Sequence, residues 1–237
     1  MRTEILFEDA HIIVARKPAG LATQSSKVGQ PDMVSELKGY LADKEAQNSP
    51  YLGIVHRLDQ PVEGLLVFAK NSRAAAQLTG QLSRGTLNKY YLAVLCGKPR
   101  QEEDCLVDYL YKTKDNRGQV VEETYPGAKR AQLRYRVLET LTMQTELTLA
   151  RIQLQTGRFH QIRVQMAHAG LPLLGDFKYG DERVAQLSRS MGVAEVGLCA
   201  CFLEFVHPVT KKRQVYYSAP RGKAFCGFQT GEECIDK

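Results

Sequence analysis

An α+β fold is predicted from three features of the sequence. Many strand-sized apolar segments are separated by turn residues, a few helix-period segments lie among them, and no regular strand–helix–strand alternation is present. Residues 3–7 and 11–16 are apolar runs broken by Glu8-Asp9, as two strands joined by a turn would be. Lys17-Pro18-Ala19-Gly20 stops the second, and residues 21–31 read as loop. Met33, Leu37, Tyr40 and Leu41 recur at helical spacing over 32–42, with Asp32 as N-cap. A polar stretch runs to Pro50. Residues 51–70 then give an apolar approach, a polar turn from His56 to Gly64, and a buried strand over 65–69.

Asn71-Ser72 caps a helix over 73–83, where Ala75, Leu78 and Leu82 share a face. Residues 86–97 form a long strand ended by Gly97-Lys98-Pro99, and further strands are expected near 105–111, 119–124, 130–140 and 144–154. Thr156 is placed to cap a helix over 158–168 that points Phe159, Ile162 and Met166 into the core. Another helix is expected at 181–193 and a terminal hairpin at 198–206 and 214–218, turning on solvated Lys211, Lys212 and Arg213. Without a repeat or a linker-like boundary, one continuous catalytic domain over 1–237 is the simplest organisation.

The 237 residues are 43% hydrophobic and 24% charged, a globular composition that disfavours disorder. No apolar run approaches the ~20 residues of a membrane span, and the N-terminal segment has no signal-peptide core, so the cytoplasm is expected. The six cysteines include no C-x-x-C and no zinc-site spacing; free thiols are expected. Thirty-two basic against 26 acidic side chains give a net charge of +6, with the excess concentrated after residue 150. This charge suits a nucleic-acid partner, although it is weak support alone.

Three constellations could carry chemistry. In His56-Arg57-Leu58-Asp59-Gln60-Pro61-Val62-Glu63-Gly64, Asp59 lies in a turn between apolar strands, where catalytic residues are often displayed. An Asp in a loop is more often only a turn cap, and local chemistry leaves the choice open. In Gln155-Thr156-Gly157-Arg158-Phe159-His160-Gln161-Ile162-Arg163, Arg158 beside a helix N-terminus would suit a phosphate, and His160 and Arg163 share a side. The plainer reading is an amphipathic surface helix. In Lys89-Tyr90-Tyr91-Leu92-Ala93-Val94-Leu95, the two tyrosines face opposite ways. Either is core or, facing a cleft, a platform for an unstacked base.

Taken in order, these segments resemble the RluA-type family of RNA pseudouridine synthases. The resemblance rests on the KPAG loop at 17–20, HRLD at 56–59, the K-x-Y-x-A-x-x-x-G strand at 89–97 and T-G-R-x-H-Q-I-R at 156–163. It continues through Pro172 to Gly180, with Gly175, Asp176 and Tyr179, and ends at Phe205-Val206-His207-Pro208. It implies a long mixed, mainly antiparallel central sheet with flanking helices and a catalytic cleft, acting on ribosomal or transfer RNA without cofactor or metal.

The same resemblance implies Asp59 as the catalytic carboxylate, Tyr91 packed against the target base and Arg163 paired with Asp59. Arg57 is associated with opening the RNA, and His56, Lys89, Arg158 and His160 complete the expected RNA-binding set. A monomer without an N-terminal S4 module is expected. The sequence departs from the usual pattern in three places: Val62-Glu63 for Thr-Ser, Phe159 for Thr or Ser, and Cys199 for His. The competing readings are an inactive RNA-binding protein of the same fold and a hydrolase built on the His and Asp residues. The second lacks a nucleophile–base pair or metal-ligand set at useful spacing.

Overall fold

The computed structural model describes residues 3–25, 29–45, 49–142 and 145–236. Parts of the predicted loop (26–28) and polar stretch (46–48), and the first residue of the predicted 144–154 strand, lie outside them. The chain divides into two compact units, one comprising the residues up to Lys89 with Ala200–Ser218, the other Tyr90–Cys199 with the residues from Ala219 onward.

The first unit contains β1 (Glu4–Glu8), β2 (Ile12–Lys17), α1 (Met33–Glu45), the short β3 (Gly53–Ile54), β4 (Glu63–Ala69) and α2 (Ser72–Ser83). To these are added most of β10 (Leu198–Val206) and all of β11 (Arg213–Tyr217). The strands lie in the order β1-β2-β4-β10, with β11 paired to β10 and β3 to β4. Asp9 closes the first hairpin by accepting the backbone N–H groups of His11 and Ile12. β2 and β4 run antiparallel, placing Lys17 opposite Gly64, and are buried throughout. Ile12, Val14, Leu65 and Val67 pack with Leu78 of α2 and with Leu203 and Phe205 of β10. Both predicted caps are present: Asp32 accepts the Ser35 N–H and Asn71 that of Ala74.

The second unit takes up most of β5 (Asn88–Cys96), then β6 (Glu103–Lys112), β7 (Gly118–Val121), β8 (Lys129–Thr142) and β9 (Glu146–Leu154). Their order is β5-β9-β8-β6-β7, every neighbouring pair antiparallel. α3 (Gln161–His168) covers this sheet through Val164, which packs with Leu110 and Ala131; α4 (Glu182–Ser190), capped by Asp181, follows. A short α5 (Glu233–Asp236), absent from the sequence-based expectations, is held where Arg151 donates to the Ile235 carbonyl.

Two expectations are corrected. α3 begins at Gln161 rather than Arg158, because His160 adopts a left-handed backbone (φ 52°) that no regular helix contains. Thr156 does not cap it: its hydroxyl accepts the Gln132 N–H and donates to the Gln161 amide oxygen, which also accepts the Arg158 N–H. The second concerns Lys211, which is not merely solvated, since its ammonium donates to the Gln77 amide oxygen and the Pro208 carbonyl.

Candidate active site

The Asp59 turn is held from both sides of the aspartate. Asp59 itself is half-buried, and its carbonyl accepts the Val62 N–H. On one side the Thr23 hydroxyl donates to the Leu58 carbonyl at 2.9 Å and accepts the Leu58 N–H at 3.1 Å. On the other, Gly20 donates its N–H to the Gln60 carbonyl, and the Gln60 amide donates back to the Gly20 carbonyl. Lys17, fully buried, donates from Nζ to the carbonyls of Leu21 (2.6 Å), Pro18 (3.0 Å) and Gln60 (3.0 Å). The KPAG loop is therefore a clamp that fixes the neighbours of Asp59, with the lysine charge dispersed over three carbonyl dipoles. Sequence reasoning assigned Lys17 only a punctuating role. No local signal marks it, since the residue follows Arg16 at the polar end of its strand.

Gly64 permits the close approach of strands beneath this turn. At φ 128°, a Cβ there would lie 2.4 Å from the Ala200 carbonyl oxygen. Beside it Glu63, one of the departures from the family pattern, is buried and paired with equally buried Arg16 at 2.5 Å. An unpaired carboxylate would be untenable there, and the guanidinium is its answer.

His56 and Lys89 also belong to this unit. His56 is buried, and among the described residues neither of its ring nitrogens has a hydrogen-bond partner. Burial first, and then the charge of Lys89, push its pKa well below the usual histidine range. Burial also lowers Lys89, to about 8. Arg57, by contrast, is exposed.

The second unit carries Tyr91, Arg158, His160 and Arg163. Tyr91 is 4% exposed and lies opposite Ile152 on β9. The buried Arg163 guanidinium grips Asp176 as a fork, Nε to Oδ2 and Nη2 to Oδ1, both at 2.7 Å. Asp176 also accepts the backbone N–H groups of Lys178 and Tyr179. His160 bonds the Tyr179 hydroxyl through Nδ1 at 2.6 Å. Burial, followed by the charge of Arg163, depresses its pKa to about 3, keeping the ring neutral. Phe159 is only half-buried, not core as expected: it stacks on His160 at 3.8 Å, with the Lys112 ammonium 4.6 Å from its ring centre. Arg158 is exposed and donates to the Arg130 carbonyl.

Asp176 and Tyr179 stand in a motif of the sequence, which by itself gives neither a role. Among the described residues, no group of three His, Cys, Asp or Glu side chains could hold a metal ion, and no helix is long and apolar enough to cross a membrane.

Residues 11–168 match the family described as RNA pseudouridylate synthase. The chain belongs to this family. Among its relatives is the "Uncharacterized RNA pseudouridine synthase YhcT" of Bacillus subtilis, 34% identical over 207 residues, covering 87% of this chain and 65% of the relative. Another is the "Ribosomal large subunit pseudouridine synthase D" of Zymomonas mobilis, 35% identical over 217 residues, covering 89% and 67%. The chain thus spans about two thirds of the length of these curated relatives. In fold it is similar to the human RNA pseudouridylate synthase domain containing 4, with a TM-score of 0.71 at 22% identity over 98% of this chain and 90% of the other. The resemblance read in the motifs, and the mixed, mainly antiparallel sheet with flanking helices, are thereby confirmed.

Proposed function

We propose that this chain is an RNA pseudouridine synthase that isomerises specific uridines through Asp59. The observation that carries the reading is the clamped Asp59 turn: Leu58 and Gln60 are both tied to the KPAG loop, leaving the carboxylate between them on a preorganised backbone. A turn cap alone requires no such bracket on both sides.

Isomerisation breaks the N1–C1′ bond, turns the uracil and joins C5 to C1′; N1 gains a proton and C5 loses one, so no electron or group leaves the nucleoside. Asp59 as a carboxylate either attacks or stabilises positive charge developing on the sugar. Arg163 carries over from the family resemblance as the cation that keeps the catalytic carboxylate ionised, and its own plane is fixed by Asp176. Tyr91 packs against a base turned out of its stack, and exposed Arg57 enters the space it leaves. Lys89, Arg158 and His160 contact the RNA; His56, assigned to the same set, is buried in the Asp59 turn. Several relatives are named for the ribosomal large subunit, which makes that RNA the first substrate to try.

The test is pseudouridine mapping, by carbodiimide labelling and primer extension, on RNA from cells lacking the gene. A site lost on deletion, restored by the wild-type chain and not by Asp59→Asn, is the expected result. If no site changes, and the purified chain binds total RNA without forming pseudouridine, the binding-only reading replaces it.

A further inference from the structure

The loop between α3 and α4 contains Asp176 and Tyr179, three residues apart, and each touches a different functional side chain of the α3 segment. Asp176 is 1% exposed, and its carboxylate takes four hydrogen bonds: two from the Arg163 fork and two from backbone N–H groups of its own loop. The loop therefore fixes the carboxylate, and the carboxylate fixes the guanidinium plane. The Tyr179 ring lies 5.0 Å from the Arg163 guanidinium and adds a second constraint on the same group.

The Tyr179 hydroxyl completes a chain of three groups. It accepts the Gly118 N–H at 2.7 Å and shares a hydrogen bond with His160 Nδ1 at 2.6 Å, in which the phenol is the donor whenever Nδ1 carries no proton. An imidazole that accepts at Nδ1 and is neutral must carry its proton on Nε2. The charged groups around this ring favour neutrality: Arg163, Lys178 and Lys112 are cationic, and Asp176, the opposing anion, is already engaged by Arg163. Phe159 stacks on one face of the imidazole and Tyr179 meets it edge-on, so the ring cannot turn over to exchange its nitrogens without breaking these contacts. The donor at the start of the chain is equally fixed. A Cβ on Gly118 would sit 2.7 Å from Val164 Cγ2, so the hairpin backbone is as close to α3 as a glycine allows.

We infer that Asp176 and Tyr179 are the positioning residues of this site: Asp176 sets the plane of Arg163, and Tyr179 locks His160 as the neutral Nε2–H tautomer. In that tautomer His160 presents only a donor at Nε2 and takes no part as a proton acceptor. The inference rests on the proposed reading only in calling this an RNA site; the lock itself does not.

The test is long-range ¹H–¹⁵N correlation of the histidine rings in the full chain. The chain has five histidines, and the His160 signals are assigned by their loss in His160→Gln. The expected spectrum has His160 entirely as the Nε2–H tautomer, unprotonated at pH 5. In Tyr179→Phe, which keeps the ring and removes only the hydroxyl, both tautomers should become visible and the ring should titrate at higher pH. An Nδ1–H tautomer in the wild type, or a Tyr179→Phe spectrum unchanged in tautomer and titration, would overturn the inference. For Asp176→Asn, the slowly exchanging Arg163 Nε–H signal should be lost while Tyr179 and His160 keep theirs; its persistence would remove Asp176 from its role. None of these signals requires turnover. A chain that forms no pseudouridine would refute the proposed function and leave the positioning result to be judged by itself.

Discussion

Replacing Lys17 with methionine tests whether the KPAG loop positions Asp59 through a buried charge. Methionine approximates the length of the side chain and removes the ammonium. In the wild type, Nζ serves three carbonyls; after substitution, the Gln60 oxygen keeps the Gly20 N–H, whereas Pro18 and Leu21 lose this donor. Leaving the buried Leu21 acceptor and the half-buried Pro18 acceptor without it costs about 1–3 kcal/mol each, least for Pro18. Part of this is offset because methionine carries no charge to desolvate, so a net loss of roughly 2–4 kcal/mol is expected. For a chain of this size, about 2–4 °C of Tm is lost per kcal/mol, placing the fall at roughly 5–15 °C.

The assay is a thermal melt followed by circular dichroism, run beside single-turnover isomerisation of an RNA substrate well below the new Tm. If Lys17 acts on Asp59 through the Gln60 carbonyl, the chemical step should slow by at least about tenfold, corresponding to ~1.4 kcal/mol of lost transition-state stabilisation. A Tm within about 2 °C of wild type would refute the reading of Lys17 as a buried anchor. A lowered Tm with an unchanged rate would show that the clamp stabilises the loop without positioning the carboxylate.

Four further outcomes follow from the same geometry. Glu63→Ser, which restores the commoner family residue, leaves buried Arg16 with only the part-exposed Glu4 carboxylate 3.9 Å away; a loss of about 3 kcal/mol in urea denaturation is expected, largely recovered by adding Arg16→Met. Gly64→Ala combines positive φ with a contact at 2.4 Å to backbone and should prevent accumulation of folded chain, checked by soluble yield and far-ultraviolet spectra. Arg163→Ala should depress turnover more than RNA affinity; equal losses would make Arg163 a phosphate contact. Stability should fall with acid: His56 and His160 have folded pKa values below their unfolded value, so their contribution is complete above about pH 6.5 and declines as pH falls towards the folded values. For His160, with a folded value of about 3, the decline by pH 5 is of order 1–2 kcal/mol. It is read as the difference in urea midpoints between pH 7.5 and 5 that His160→Gln reduces.

The strands and caps were legible because their determinants are local. Asp32 and Asn71 each precede an apolar helical face, and both accept the N–H three residues on. The start of α3 was not legible. Thr156 has the chemistry of a cap, but β8 offers it the Gln132 N–H, and the Gln161 side chain folds back to occupy the Arg158 N–H. His160 must then turn left-handed before the helix can begin. The same limit hid Asp176 and Lys17. Both lie in motifs that were read, yet their roles come from partners brought near by tertiary structure: Arg163 is 13 residues away from Asp176, and the Gln60 carbonyl 43 from Lys17. A lysine at a strand end or an aspartate in a loop is ordinarily solvated, and nothing in local spacing indicates that either is buried.

The three departures from the family pattern acquire physical content once their surroundings are known. Cys199 is completely buried, where a thiol behaves as a small apolar group. Phe159 receives a lysine near one ring and a histidine against it, which substitutes aromatic and cation–π contacts for a hydroxyl. Glu63 is the demanding case, because a carboxylate cannot replace a small polar side chain in a buried strand unless a cation arrives with it. Arg16 is that cation, and the β2–β4 register sets it across from Leu65, directly beside the Lys17–Gly64 pair. The ion pair thus stands next to the anchor of the Asp59 turn without contributing to its hydrogen bonds. At position 63 what differs is the packing beside the clamp. The clamp itself, from Lys17, Gly20 and Thr23 to Leu58 and Gln60, consists mainly of backbone groups whose geometry such changes leave intact, so a pattern altered at 62, 63, 159 and 199 remains compatible with chemistry at Asp59.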